Sequence, residues 1–285
     1  MRRRDARWRV AFALAGGLLA AASASFAQSE DAPAGGALAG LEAALAQAEP
    51  GAPGTGGELR AWALVRERNL IGAREAATEL LRREPRSYVA HFIVGYALHY
   101  AEASFPRALF HHEQAWALFT ARHGDDPTQP GFPWRWHARL ILEIAETHGD
   151  LEHHEERLAW FDRYDLHYEP KTGAQRAWPL MKLRRFDAAR QAARAGLLSD
   201  EPQQLALGLN ALCAIEFEAG RDGASYAACK AALDHARTQP EGPSTVDLTN
   251  FAEGARSLFR FAEAERTLLE ATEAQTSWYG NPWLE

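Results

Sequence analysis

Two stretches of this chain open as a metal-chelating helix would. They are His112-Glu113 and His154-Glu155. A single helix chelates zinc when two imidazoles stand one turn apart, with the glutamate between them as base. The second histidine is missing in both places. Trp116 fills its position in the first stretch and Leu158 in the second. The histidines are nonetheless unevenly spread. Ten of the eleven fall between His91 and His167. Asp150, His153 and His154 share a helical face, and with His148 they form the one alternative metal site. A solvated polar face at a helix start accounts for the same residues, and we assign no metal there. No glycine-rich phosphate loop ending in Gly-Lys-Ser/Thr and no Gly-x-Ser-x-Gly elbow occurs. The sequence therefore predicts a chain with no catalytic residues and no cofactor.

The two cysteines, Cys213 and Cys229, each lie eight residues from Arg221, in the turn Gly220-Arg221-Asp222-Gly223. Residues equidistant from the turn of a helical hairpin lie at the same height. The sulfurs are then placed either to bridge or to pack as two small buried thiols. A bridge would close a loop of about 16 residues and contribute about 3 kcal/mol.

Helical periodicity organises the rest. A large residue is followed three positions later by a small one at Leu70/Ala73, Phe105/Ala108, Phe186/Ala189 and Phe261/Ala264. Leu151/His154 and Asp222/Ser225 are weaker copies. The second members are separated by 35, 46, 35, 36 and 39 residues. A period of this size marks a stacked array of supersecondary units. Apolar residues at three- and four-residue spacing predict helix pairs at 58–68 with 71–83, 87–103 with 105–122, and 135–148 with 151–164. Three further pairs fall at 174–184 with 187–198, 203–219 with 223–237, and 246–258 with 261–275. Pro85, Pro170, Pro202 and Pro240 punctuate the second helices. The long steps contain 123–133 and 238–243, which are too rich in Gly and Pro for helix and read as inserted loops.

These residues resemble tetratricopeptide repeats (TPR). The clearest copy starts at Tyr88, with His91, Val94, Gly95 and Leu98 in the first helix and Phe105, Ala108 and Ala115 in the second. Others hold Ala61, Leu64, Ala73, Ala77 and Pro85, and Leu248, Phe251, Ala252, Ala255, Phe261, Ala264 and Ala271. His154, Ser225 and Glu216 depart from the pattern. The resemblance implies an all-α, right-handed superhelical solenoid of about six antiparallel helix pairs. It also implies a concave groove lined by the first helix of each pair. Projected onto it, Trp62, Phe92, Tyr96, His99, Tyr100, Trp178 and Lys182 form the expected partner-binding groove. Aromatic anchors flanked by polar groups concentrate binding energy; the same rings can equally fill space between helices. The loop bearing Trp134 and Trp136 reads either as a recognition loop or as a lid.

The N-terminus reads as an export signal over residues 1–27. Five arginines precede an apolar run from Val10 to Ala22, and Ser25-Phe26-Ala27 offers a cleavage site. The run is short of the roughly 20 residues of a membrane span. No cysteine near the site permits lipid attachment. Residues 28–56 form an Ala/Gly/Pro-rich leader, 57–277 the repeats, and 278–285 an aromatic tail that caps the array, docks a partner or continues into further repeats. Removing the signal's five Arg and one Asp takes the formal charge from −7 to −11, which disfavours nucleic acid. The expectation is a periplasmic or secreted scaffold that binds a protein or peptide, without a stable membrane span after cleavage. A metal-binding protein using the His-rich second and third hairpins, or an accessory subunit of an envelope enzyme or secretion complex, is the alternative.

Overall fold

The computed structural model describes residues 55–169, 171–199 and 202–274. The expected signal (1–27), nearly all of the leader and the aromatic tail (278–285) lie outside them. Twelve α-helices and one 3₁₀ turn make up the regular structure of the described residues, which contain no strand. The helices are α1 (Thr55–Arg66), α2 (Leu70–Arg83), α3 (Tyr88–Tyr100), α4 (Phe105–His123), α5 (Trp134–Asp150) and α6 (His154–His167). After the 3₁₀ turn Gly173–Arg176 come α7 (Ala177–Lys182), α8 (Phe186–Leu197), α9 (Pro202–Glu218), α10 (Asp222–Ala236), α11 (Thr245–Ser257) and α12 (Phe261–Ala274). Each expected pair is present, with bounds shifted by a few residues. No described helix is long and apolar enough to cross a membrane.

The chain divides into two compact units between Lys171 and Thr172. In the first, each helix packs on its sequence neighbour, and α1 also meets α3 as α3 meets α5. Its core holds Ala61, Ala73, Phe92, Ile93, Leu98, Ala108, Phe119, Trp136 and Leu140. The second unit repeats the scheme, with α9 against both α10 and α11. Its cores centre on Trp178, Ala189 and Ile215, and on Cys213, Cys229, Leu248 and Phe251. Burying each hairpin's apolar face against the next is what makes such units cohere.

One corner recurs within all six pairs. Arg68, Ala103, Glu152, Arg184, Gly220 and Phe259 have positive φ, and only one of them is glycine. The amide after each reaches back five residues: Asn69 N–H to Leu64 O, Ser104 to Leu98 (six back, through one extra residue), His153 to His148, Arg185 to Leu180, Arg221 to Glu216 and Arg260 to Ala255. This is helix C-capping by a left-handed residue, satisfying carbonyls that the helix end leaves open. Helix starts add side-chain caps. Asn69 accepts from Gly72 N–H, Ser87 from Ala90 N–H, and Ser244 with Asp247 completes a capping box.

The small residues sit where two helices approach. Ala73, Ala108, Ala189 and Ser225 are fully buried and Ala264 nearly so. His154 is half-buried. Glu216, in an aromatic's usual place, is buried beside Arg190 (2.7 Å) and Arg221 (3.2 Å). The inserted loop 123–133 is tied down rather than free. Asp125 accepts from His137 Nε2 at 2.6 Å and from Arg163 at 3.2 Å, and Phe132 is buried. Trp136 packs in the core while Trp134 stays half in solvent.

Candidate functional site

In the first unit, α3 carries the expected groove residues at helical spacing. Phe92, Tyr96 and Tyr100 follow one another at four-residue intervals and form a ladder of rings. Centroid distances are 6.0 Å from Trp62 to Phe92, 5.9 Å from Phe92 to Tyr96 and 4.5 Å from Tyr96 to Tyr100. His99 stacks on Tyr100 at 4.2 Å. Helix α5 supplies the polar side. Arg139 lies over the Tyr96 ring and pairs with Glu143 at 2.9 Å, and the Tyr100 hydroxyl donates to Glu143 Oε2 at 3.1 Å. Burial, with the Glu143 charge second, holds the Tyr100 phenol well above its ordinary pKa, so it stays a donor.

The ladder is largely covered. Phe92 is 0 %, His99 5 % and Tyr96 9 % exposed, whereas Trp62 and Tyr100 are half-buried. The Trp62 and Trp136 indole N–H groups are buried without a hydrogen-bond partner among the described residues. In the second unit Trp178 is buried with its indole N–H equally unpartnered, and Lys182 is half-exposed on the same short helix.

Behind the ladder lies a polar cluster that periodicity did not reveal. Thr147 donates to Glu143 O at 2.7 Å, and its oxygen lies 3.0 Å from His99 Nδ1 and 3.1 Å from His112 Nδ1. His99 Nε2 meets Asp150 Oδ2 at 2.7 Å. Burial holds the His112 ring well below its ordinary pKa, with His99 and His111 adding to the effect. The available signal was a threonine and a histidine on the otherwise apolar faces of α5 and α4.

Two histidine pairs stand apart from this cluster. His91 and His111 place their Nδ1 atoms 3.0 Å apart across the α3–α4 hairpin. Burial lowers both, His111 to about 4. His148 and His153 face each other across the α5–α6 corner at 3.4 Å. These are two of the four residues in the alternative metal set. The other two go elsewhere: Asp150 turns to His99, and His154 lies half-buried in the first turn of α6. Among the described residues no group of three or more His, Cys, Asp or Glu side chains is placed to hold a metal ion.

The second unit contains the cysteine bridge. Cys213 on α9 and Cys229 on α10 are joined, with Cα atoms 4.6 Å apart, and both are buried. Of the two readings the spacing allowed, the structure has the bridge.

No protein-family model matches the sequence, and no curated protein matches it. Solved structures do. A tetratricopeptide repeat protein from Parabacteroides merdae is similar at 14% identity over 76% of this chain and 78% of its own, with a TM-score of 0.55. PilW, a widely conserved type IV pilus biogenesis factor, is similar at 15% identity over 83% of this chain and 100% of its own, with a TM-score of 0.59. Recurrent helix hairpins, their common corner, the small residues at helix crossings and these likenesses together establish an all-α, tetratricopeptide-repeat-like fold.

Proposed function

We propose that the chain is a non-catalytic extracytoplasmic scaffold or adaptor that binds a protein or peptide segment along the first helices of its hairpins. One observation carries the reading. Trp62 and Tyr100, both expected in the groove from sequence, stand half-exposed at the two ends of the ring ladder built by α1 and α3. A bound segment covers these ring edges, and aromatic anchors of this kind concentrate binding energy at an interface. Tyr96 lies between them in the ladder; in the second unit, taken by itself, Trp178 and Lys182 on α7 are the expected contact residues. Phe92 and His99 form the wall behind. The −11 charge after loss of residues 1–27 favours a basic or neutral partner over nucleic acid.

Export is supported by the basic and apolar N-terminal pattern and by the bridge, since disulfides persist in oxidising compartments. On this reading residues 28–56 are a leader, 57–277 the repeats and 278–285 a tail. An accessory subunit of an envelope enzyme or secretion complex is a narrower form of the same proposal. A photo-crosslinking side chain placed at Tyr100 or Lys182 in the native envelope is expected to capture one discrete partner, and the same probe at exposed Glu113 is expected to capture none. Equal labelling at Glu113, or none at Tyr100 and Lys182, refutes the groove.

A further inference from the structure

Within both units, the second helix of a hairpin carries a stripe that the next first helix covers. On α4 the stripe holds His112 and Trp116, which meet Thr147 and His137 of α5. On α8 it holds Arg190, which meets Glu216 of α9, and on α10 it holds Tyr226, which meets Phe251 of α11. Counted from the small residue of each hairpin, the same stripe on α12 runs through Phe261, Glu265, Leu268 and Thr272, with Leu269 beside it. Helix α12 turns Ala264, Thr267 and Ala271 inward, and Glu263 and Glu270 toward Tyr226 and Arg237 of α10. Its remaining side is apolar and open: Phe261 is 60 % and Leu269 56 % exposed. Phe105 and Phe186, at the position of Phe261 in other hairpins, are half-buried. At the position of Leu269 four other hairpins carry the polar residues Thr78, Glu113, Arg194 and Lys230. A solvent-facing outer helix of a repeat array is ordinarily polar, so this stripe marks a surface that something covers.

We propose that residues 278–285 of the same chain dock along this stripe, Trp278 and Tyr279 against Leu268 and Leu269, and Trp283 and Leu284 against Phe261. The inference does not depend on the groove reading. Three arguments select this occupant. The segment begins four residues after α12, so its local concentration at the stripe is on the order of millimolar, before any separate partner arrives. The spacings agree. Leu269 and Phe261 are eight residues apart on a helix, about 12 Å. Trp278 and Trp283 are five residues apart and span up to about 17 Å, so a segment running back along α12 reaches both ends of the stripe. The composition agrees as well. Trp278, Tyr279, Trp283 and Leu284 supply apolar area, and Glu265 in the middle of the stripe offers an acceptor to an indole N–H or the Tyr279 hydroxyl. Gly280 and Pro282 are unsuited to a further first helix of 13 or 17 residues, the lengths of α3, α11, α5 and α9.

The test places a photo-crosslinking side chain at Leu269 of the full chain, mixes isotope-labelled with unlabelled protein, and maps the products by mass spectrometry. A join to a peptide containing Trp278 or Trp283 is expected, with both members carrying the same isotope. The same probe at Glu113, the matching position of α4, should give no join to that segment. Pairs of mixed isotope assign the stripe to a second copy of the chain and overturn the proposal, as does the absence of any join to 278–285 or an equal join from Glu113. Because the probe can itself disturb the stripe, amide hydrogen exchange provides a second measurement. In the full chain bearing Trp278→Ala and Trp283→Ala, exchange in α12 should quicken about tenfold or more while α4 is unchanged, and Trp278→Phe with Trp283→Phe should restore protection. Unaltered α12 exchange in the alanine variant overturns the proposal.

Discussion

Gly95 and His112 occupy adjoining space so closely that there is no room for a methyl group between them. A Cβ on residue 95 would lie 2.3 Å from His112 Cδ2 and 3.2 Å from the carbonyl of Ala108. The ring cannot swing aside freely, because its Nδ1 is held by Thr147. Gly95→Ala is therefore expected to destabilise the first unit by about 1–3 kcal/mol, the usual cost of overpacking. Urea denaturation measures it. In a His112→Ala background the same methyl should cost much less, because the ring it would strike is gone; equal costs in both backgrounds would show that backbone contact dominates.

The buried histidines make the first unit sensitive to acid. His112 is held well below its ordinary value by burial, and burial also lowers His137 despite its Asp125 partner. In the unfolded chain each titrates near 6.5. Below that value the unfolded state binds protons that the folded state refuses, so stability present at neutral pH falls as pH drops through about 6.5 and goes on falling towards the folded value. One such group contributes a slope of up to about 1.4 kcal/mol per pH unit. Melting midpoints at pH 7.5 and 5.5 check the direction, and His112→Leu is expected to flatten the dependence.

The bridge in the second unit closes 16 residues. In the chain-entropy description its removal costs about 3 kcal/mol. The double variant Cys213→Ala with Cys229→Ala should lower the midpoint of that unit, and a reductant should then have no further effect. In the parent chain, reductant alone should produce a comparable fall.

The six hairpin corners allow a paired test. Gly220 has φ +69° and open space around its missing Cβ. Gly220→Ala thus reports backbone conformation alone and is expected to cost about 1 kcal/mol. Phe259 adopts the same conformation at φ 61° and is 79 % exposed. Phe259→Gly should relieve a strain of similar size and stabilise the chain by about 0.5–1 kcal/mol. A thermal melt of each settles both signs.

The helix pairs were legible because each must bury one face, and burial writes a three- and four-residue rhythm into the sequence. The small residues Ala73, Ala108, Ala189 and Ala264 were legible for the same reason, since close helix crossings admit little else. The corners were not. Arg68, Glu152 and Phe259 adopt a glycine-like conformation because main-chain bonds impose it, and those bonds have no side-chain signature. Glu216 read as a departure because its partner Arg190 lies on another helix, 26 residues away. The Thr147 cluster was hidden likewise, since its members sit 48 and 35 residues from Thr147 along the chain. The residues expected to line a groove do lie on the first helices of their hairpins, but sequence spacing carries no information about how deeply Phe92 and Tyr96 are covered.

The covalent link between α9 and α10 has a mechanical consequence. When the molecule is drawn out by its ends, tension passes from one sulfur to the other and bypasses the 16-residue segment between them. That length, about 50–60 Å of extended chain, is withheld from stretching until a reductant cuts the link. Whatever pulls on this protein in an oxidising medium thus meets one segment, 213–229, that cannot be drawn out.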